Sequence, residues 1–296
     1  MRVTNKMIFD AAQLQTAAAR DKLVDAQQKV TTGRRVNHPG DDPAAAGAIV
    51  THTMSVQRLD TIDQVVSRAV GEVEMADGAL QGVSSLLARV RQLAVQLGND
   101  TYSAQERVGA AVEIRSISRQ IGQAMNIQVG GRYVFGGNID RTAPFDSAGN
   151  YVGDTAVRQI EVAPGLLQNA SVRADVALKG VGGGVDVFAS IEALALALDN
   201  NDGGSVRASL DSIVTSGDQV ASALIQTGTI LDGFLSAQSI GGVAKESAQK
   251  ALASVSEIDI FDAASELAKA QQSLEAALAV SAKSFNMSLL DYLPRG

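Results

Sequence analysis

A long apolar stripe runs through residues 62–97 with the spacing of a coiled-coil seam. Eleven consecutive positions, alternately four and three residues apart, are all apolar: Ile62, Val66, Ala69, Val73, Ala76, Leu80, Val83, Leu87, Val90, Ala94 and Leu97. A repeat of 3.5 residues keeps one side of an α-helix facing a partner helix. We therefore predict a rod-like chain with a helix about 54 Å long here. The predicted seam of the rod centres on Leu80, Val83, Leu87, Val90 and Leu97.

Shorter stripes of the same period lie towards both ends of the chain. They run from Phe9 to Val30, from Val206 to Phe234 with interruptions at Gly217 and Thr227, and from Ile260 to Ala277. The long stripe is also widened on one side, by Val65, Ala79, Leu86 and Leu93. An apolar face of this width packs against several helices, so we favour a helical bundle over a two-stranded coil. Glu72 lies off the stripe and is expected on the surface.

Capping residues predict where the helices begin and end. Gly33 suits the left-handed end of the N-terminal helix. Asp42 followed by Pro43 is typical of a helix start. Ser103 and Glu106 have the spacing of a capping box, which predicts that a second helix follows the long one after a tight turn.

Residues 131–185 differ from their surroundings. Short β-prone runs between glycines predict strands at residues 132–135, 157–162 and within 166–176, with helix resuming near Asp186. We therefore predict a mainly α fold with a β insertion. A long antiparallel helical bundle or coiled-coil rod would be formed by both chain ends, with a small β-rich domain in the middle.

The same observations predict three regions. Residues 1–40 and 257–296 would form a terminal helical, coiled-coil region. Residues 41–130 and 186–256 would form the helical rod domain, and residues 131–185 the β-rich inserted domain.

Composition narrows the function classes. The chain has no cysteine, which excludes disulfides, thiolate catalysis and cysteine-ligated zinc. Its net charge of −7 argues against nucleic acid as a partner. No stretch approaches the apolar length of a membrane span, so we expect no membrane partner, and residues 1–6 lack the apolar core of a signal peptide. These features alone would favour a cytosolic protein.

Charge is distributed unevenly between the chain ends. Residues 1–35 contain seven lysines and arginines against three aspartates, whereas residues 257–296 contain six acidic residues against three basic ones. Opposite charge and matching apolar stripes predict that the two terminal helices lie side by side.

No set of residues predicts an active site. His38 and His52 are the only histidines and do not have metal-ligand spacing. Asp42 is explained by its capping role beside Asp41, and residues 182–184 lack the lysine of a phosphate-binding loop. We therefore predict no catalytic residues, no cofactor and no metal site, and a chain that is not an enzyme.

Three groups of segments resemble the bacterial flagellin superfamily. Residues 91–96 and 99–103 with Arg107 resemble its helix-turn motif, residues 32–37 and 41–44 its N-terminal signature, and residues 258–263, Glu266 and residues 288–290 its C-terminal helix. Within the superfamily, residues 1–4, 131–137 and 144–145 are similar to the members that join the hook of the flagellum to its filament. Residues 227–235 depart from the family pattern.

The resemblance implies a structural component of the flagellum, an adaptor at the hook–filament junction needed for filament attachment and motility. Implied partners are further copies of the chain in a ring, a hook-associated protein on the hook side, flagellin and a flagellar export chaperone. Implied localisation is extracellular, in the flagellum, after type III export as an unfolded chain without a cleaved signal peptide. Two alternatives stay open: a filament flagellin, and an intracellular coiled-coil scaffold.

Members of this family typically order their ends on assembly. We therefore expect residues 1–35 and 257–296 to be mobile in the free subunit and helical in the assembly. Alanine-rich seams bury little area, too little to offset the entropy of ordering until many subunits pack together. The expected assembly contacts are Phe9, Leu23, Val30, Leu274, Leu289, Leu290 and Tyr292.

Overall fold

The computed structural model describes residues 2–290, and among these the side chains of all but residues 2–5, 8 and 284–290. The described chain is mainly helical. Its helices are α1 (Arg2–Thr32), α2 (Pro43–Leu97), α3 (Ala104–Ala124), α4 (Ala174–Lys179), α5 (Val187–Asp199), α6 (Gly203–Ser256) and α7 (Ile260–Leu290). Four short strands lie between α3 and α4, which confirms the prediction of a mainly α fold with a β insertion.

The chain divides into two compact units. A terminal unit comprises Met1–Arg58 and Lys245–Gly296, and a central unit comprises Leu59–Ala244. Helices α2 and α6 contribute residues to both. Phe135 and Phe145 of the β-rich section are buried in the same core as α2, α3 and α5. The three regions predicted from the sequence have other boundaries and stay a prediction.

In the terminal unit, α1 and α7 lie side by side and antiparallel, as the charges predict. Lys29 Nζ lies 3.2 Å from Glu266 Oε2, and Thr16 Oγ1 lies 3.0 Å from Ser281 Oγ. Helix α1 ends at Thr32, and Gly33 follows with φ of +67°, as predicted for a left-handed helix end.

A short backbone ladder joins the ends of these helices. The Arg35 N–H donates to the Ser256 carbonyl at 2.8 Å, and the Ile258 N–H donates to the Gly33 carbonyl at 3.1 Å. Arg34 and Glu257 form an antiparallel bridge between the same segments. The sequence does not predict this pairing.

The central unit buries the long stripe. All eleven of its positions have relative exposures of 8% or less, and Leu80, Val83 and Val90 are fully buried. From Ala76 to Leu97 they pack in one core with α3, α5 and the first half of α6. Ile62, Val66, Ala69 and Val73 form a second core with Val162, Ala170 and Phe234.

The predicted helix caps are present. The Ala45 N–H donates to Asp42 Oδ1 at 3.0 Å at the start of α2. Ser103 and Glu106 form a reciprocal capping box at the start of α3. Asp186 accepts from the Ala189 N–H at 3.1 Å at the start of α5, where the sequence predicts that helix resumes.

The β-rich section is smaller than predicted. Strand β1 (Gln128–Val129) pairs antiparallel with β2 (Arg132–Tyr133), and β3 (Gln159–Ala163) pairs antiparallel with β4 (Leu166–Asn169). The predicted strand at residues 132–135 therefore stops at Tyr133. The strand predicted within 166–176 gives way to α4, where Ala174, Ala177 and Leu178 are buried at helical spacing.

Helix α6 corrects one expectation. Within the described residues it is long and apolar enough to cross a membrane by length and composition, so the statement that no stretch approaches a membrane span is wrong in those terms. Helices of soluble proteins can pass the same test, which considers length and composition alone, and only a minority of the apolar window of α6 is buried. This single helix is therefore weak evidence for a membrane.

Candidate assembly surfaces

The five predicted seam residues lie inside the central unit. Leu80, Val83, Leu87, Val90 and Leu97 all belong to one buried cluster. Each is at most 3% exposed, so none offers surface to another subunit. Their packing instead determines which faces of α2 and α6 remain exposed to solvent.

The terminal helices bury only small side chains between them. Among the described residues, the buried apolar side chains of these helices are those of Ala19 and Ala26 in α1 and of Ala263 and Ala270 in α7. Removing an alanine side chain from water releases little hydrophobic free energy compared with a leucine or valine. The α1–α7 pair therefore rests on a weak seam.

Larger apolar side chains of this pair face outwards. Leu14 is 71% exposed, and Met7, Val24, Leu278 and Val280 are each at least 49% exposed. Soluble monomers rarely leave so many large apolar side chains on one pair of helices unless a partner covers them. These five residues, which we call the outer apolar set, extend the assembly surface beyond the residues predicted from the sequence.

The predicted assembly contacts fall into three groups. Phe9 is 37% exposed, and Leu23, Val30 and Leu274 are half-buried along the α1–α7 pair. Leu289 and Leu290 lie in the last turn of α7, but their side chains fall outside the described residues. Tyr292 lies outside them entirely. The assembly role of all seven residues stays a prediction.

Arg107 performs a structural task that the sequence does not indicate. Its guanidinium, only 4% exposed, donates from Nε to the Leu97 carbonyl and from Nη2 to the Asn99 carbonyl, both at 3.1 Å. Nη1 donates to Asn201 Oδ1 at 2.7 Å. Arg107 therefore ties the α2–α3 turn to the α5–α6 turn, which explains in this chain the arginine of the helix-turn motif.

Glu72 is a second correction. It is only 8% exposed and pairs with Arg158, which precedes β3. The expectation that Glu72 lies on the surface is wrong because the β insertion covers that side of α2. A negative charge so placed needs its cationic partner to remain buried.

An apolar groove of about 230 Å³ lies where α2, α6 and the β3–β4 hairpin meet. Ile62 and Val66 of α2, Pro164 and Leu166 of the hairpin, and Ala237 and Ile240 of α6 line it. Leu166 and Ile240 are largely exposed. The sequence does not mark this groove, because its walls come from three segments that lie far apart along the chain.

The candidate chemical groups have local structural partners. The carboxylate of Asp41 accepts from the N–H groups of His38 and Asn37, at 2.9 and 3.0 Å, which lowers its pKa. In Asp42, the hydrogen bond from the Ala45 N–H and the pairing with Arg35 lower the pKa. Across the described residues, no group of three or more His, Cys, Asp or Glu side chains is placed to hold a metal ion.

Comparison with known proteins finds relatives among the proteins of the bacterial flagellum. Residues 3–140 match the family model of the bacterial flagellin N-terminal helical region. The resemblance to the bacterial flagellin superfamily is confirmed. The chain is 26% identical to flagellar hook-associated protein 3 of Salmonella typhimurium over 162 residues, 54% of this chain and 51% of that protein. It is 28% identical to a flagellin of Listeria monocytogenes over 41% of this chain and 42% of the flagellin.

The fold is similar to that of a solved hook-associated protein. The crystal structure of flagellar hook-associated protein 3 from Legionella pneumophila superposes with a TM-score of 0.62 at 14% identity, covering 70% of this chain and 98% of that one. At this identity the likeness shows the fold alone. In sequence, the chain spans about half the length of the hook-associated relatives it matches.

Proposed function

We propose that this flagellin-like chain is a structural, non-enzymatic adaptor at the hook–filament junction of the bacterial flagellum. The observation that carries the proposal is the combination of two similarities. The N-terminal match is to a flagellin region, and the fold matches a hook-associated protein over 98% of its length. A junction must resemble flagellin enough to seat a filament and differ enough to stop its own growth.

The terminal unit supports an assembly role. Its α1–α7 pair buries alanines and exposes the outer apolar set. Such a pair is stabilised more when copies of the chain cover its exposed apolar side chains than by its own buried alanines. Self-association in a ring, with Phe9, Leu23, Val30 and Leu274 near the subunit contacts, would supply that cover.

The partners we propose follow from the junction. A hook-associated protein would lie on the hook side, flagellin on the filament side, and an export chaperone would hold the chain before secretion. The chain would leave the cell unfolded through type III export and function outside it. A chain without cysteine carries no disulfide that would hinder such passage.

A gene deletion tests the junction. Cells without this protein should build hooks and release flagellin into the medium, yet carry no attached filament, and they should not swim. Electron microscopy of the cells and immunoblots of the medium measure both outcomes. Filaments of normal length on the deletion strain would refute the proposal.

Filament flagellin is the second candidate, favoured by the match to the Listeria protein. The two candidates differ in what the purified chain does. A flagellin elongates into long filaments from a seed, whereas an adaptor stops after a limited layer. The third possibility, an intracellular scaffold, predicts that the chain is absent from sheared flagella, which mass spectrometry of isolated hook–filament complexes would detect.

A further inference from the structure

The long helices contain glycines that have no local steric reason. A Cβ atom built at each of nine helical glycines would meet no atom within 4 Å: Gly47, Gly71, Gly78, Gly82, Gly109, Gly217, Gly228, Gly241 and Gly242. None has a positive φ. Alanine would therefore fit at every one of these positions. We call them the open glycines.

Other glycines of the chain do have such a reason. Gly180 ends α4 with φ of +68°, and a Cβ there would lie 2.5 Å from the Gly184 backbone. At Gly233 of α6, a Cβ would lie 2.3 Å from Gln168 Nε2, which donates to the Ile230 carbonyl. The fold therefore requires glycine at Gly180, whereas at Gly233 a Cβ would displace a side-chain hydrogen bond, and at the open glycines it would displace nothing.

Glycine weakens a helix wherever it is not required. It loses more conformational freedom on folding than alanine does, and each such position lowers the folding equilibrium constant about two- to fivefold. Eight of the open glycines lie in the central unit, on α2, α3 and α6. Seven of these eight lie on α2 and α6, the two longest helices of the chain.

We propose that the open glycines hold the central unit close to its unfolding threshold so that the chain can be threaded through the export channel. The inference rests on the proposed function, because only an exported chain gains from unfolding easily. It adds a property that the junction role does not require, namely a lower stability than the fold would allow if alanine stood at these positions.

Two triple variants test this inference. One replaces Gly71, Gly78 and Gly82 of α2 by alanine, and the other replaces Gly217, Gly228 and Gly242 of α6. Each triple should raise the folding equilibrium constant about 10- to 150-fold and the melting temperature by about 3–12 °C. Gly233→Ala is the matched control on α6, and it should stabilise less than an average single change within either triple, because its Cβ moves the Gln168 side chain off the Ile230 carbonyl.

Secretion is then measured in cells that carry each variant in place of the wild-type chain. Immunoblots of medium and cell fractions should show a severalfold fall in the secreted share for both triples. Adding Ile114→Val, a change at a fully buried core position, should lower the melting temperature again and restore secretion.

Three results would overturn the inference. Triples that are more stable yet secreted at the wild-type rate would show that stability does not limit export. In the second result, Ile114→Val destabilises the triples but does not restore secretion. In the third, the triples are secreted normally but fail to seat a filament. Either result would show that the open glycines contact a partner. A wild-type chain that never leaves the cell would instead refute the proposed function, since the inference compares variants with an exported wild type.

Discussion

Individual polar residues stabilise this fold at turns that the hydrophobic pattern of the sequence does not predict. Arg107 joins two turns by donating to the carbonyls of Leu97 and Asn99 and to Asn201. Carbonyl groups at the end of a helix have no partner within the helix. A buried guanidinium with five donors can satisfy several of them at once.

Arg107→Ala should lower the free energy of unfolding by about 2–4 kcal/mol, because it removes several charged donors and leaves the buried Leu97 carbonyl without its partner. Arg107→Lys should recover only part of this loss, since an ammonium group cannot reach all three partners. The exposed Arg91 on α2 supplies the control, and Arg91→Ala should cost under about 0.5 kcal/mol. Urea unfolding followed by circular dichroism measures all three, and equal effects at both arginines would contradict this role of Arg107.

At the scale of elements, the long stripe of α2 determines the core. Leu80→Ala or Leu87→Ala should each cost about 2–5 kcal/mol, because a buried side chain is lost and a cavity remains. Glu72→Ala, expected from the sequence to cost under about 0.5 kcal/mol, should instead cost about 1–3 kcal/mol because it leaves Arg158 without its partner. Chemical denaturation distinguishes these cases, and small, equal losses for all three variants would exclude the buried seam.

Helix caps give the fold a predictable response to acid. The Ser103 N–H and hydroxyl both donate to the Glu106 carboxylate at 2.8 Å, which holds its pKa below the ordinary 4.5. The pKa of Asp202 is lowered by Ser205, and that of Asp42 by the N–H of Ala45. Each group binds a proton more readily in the unfolded chain than in the folded one.

The melting temperature should therefore be steady above the ordinary carboxyl pKa and fall as the pH drops through 4.5 towards the lower folded-state values. Glu106→Gln removes one titrating cap and should make this fall shallower. Calorimetry between about pH 6 and about pH 3 measures the effect. A melting temperature that rises on acidification would contradict the assignment of the caps.

The elements differ in how far the sequence predicts them. The α2 stripe and the caps at Asp42 and Ser103 are local patterns, so they can be found without the fold. The burial of Glu72 depends on Arg158, 86 residues away, and no local pattern reports such a distance. Helix α4 is only six residues long, too short for its period to stand out from the strand pattern before it.

At the scale of the whole molecule, the pairing of the two terminal helices could be predicted, because both carry an apolar stripe and their net charges are opposite. The outer apolar set could not, since exposure depends on which face each helix turns towards its neighbour. The boundaries of the terminal unit, at Arg58 and Lys245, also require the fold, because they fall inside the helices α2 and α6.

Deleting residues 289–296 should separate folding from assembly. The deletion removes Leu289, Leu290 and Tyr292 while leaving the central core intact. We expect a melting temperature close to that of the full chain, together with loss of motility and of filament attachment. A large fall in the melting temperature would show that these residues already stabilise the free subunit.

Growth from a seed tests the junction role most directly. Contacts in a helical array are heterologous, so their symmetry does not limit growth, and an adaptor must disfavour stacking on itself through its own surface. We expect residues 131–185 and the segment 227–235, which lies within α6, to contribute this mismatch.

The decisive measurement is electron microscopy of purified chain incubated with isolated hook fragments, beside flagellin under the same conditions. The junction account predicts short caps of this chain on the hook ends, onto which flagellin then elongates. Micrometre-long filaments made of this chain alone would contradict that account and assign the chain to the filament flagellins.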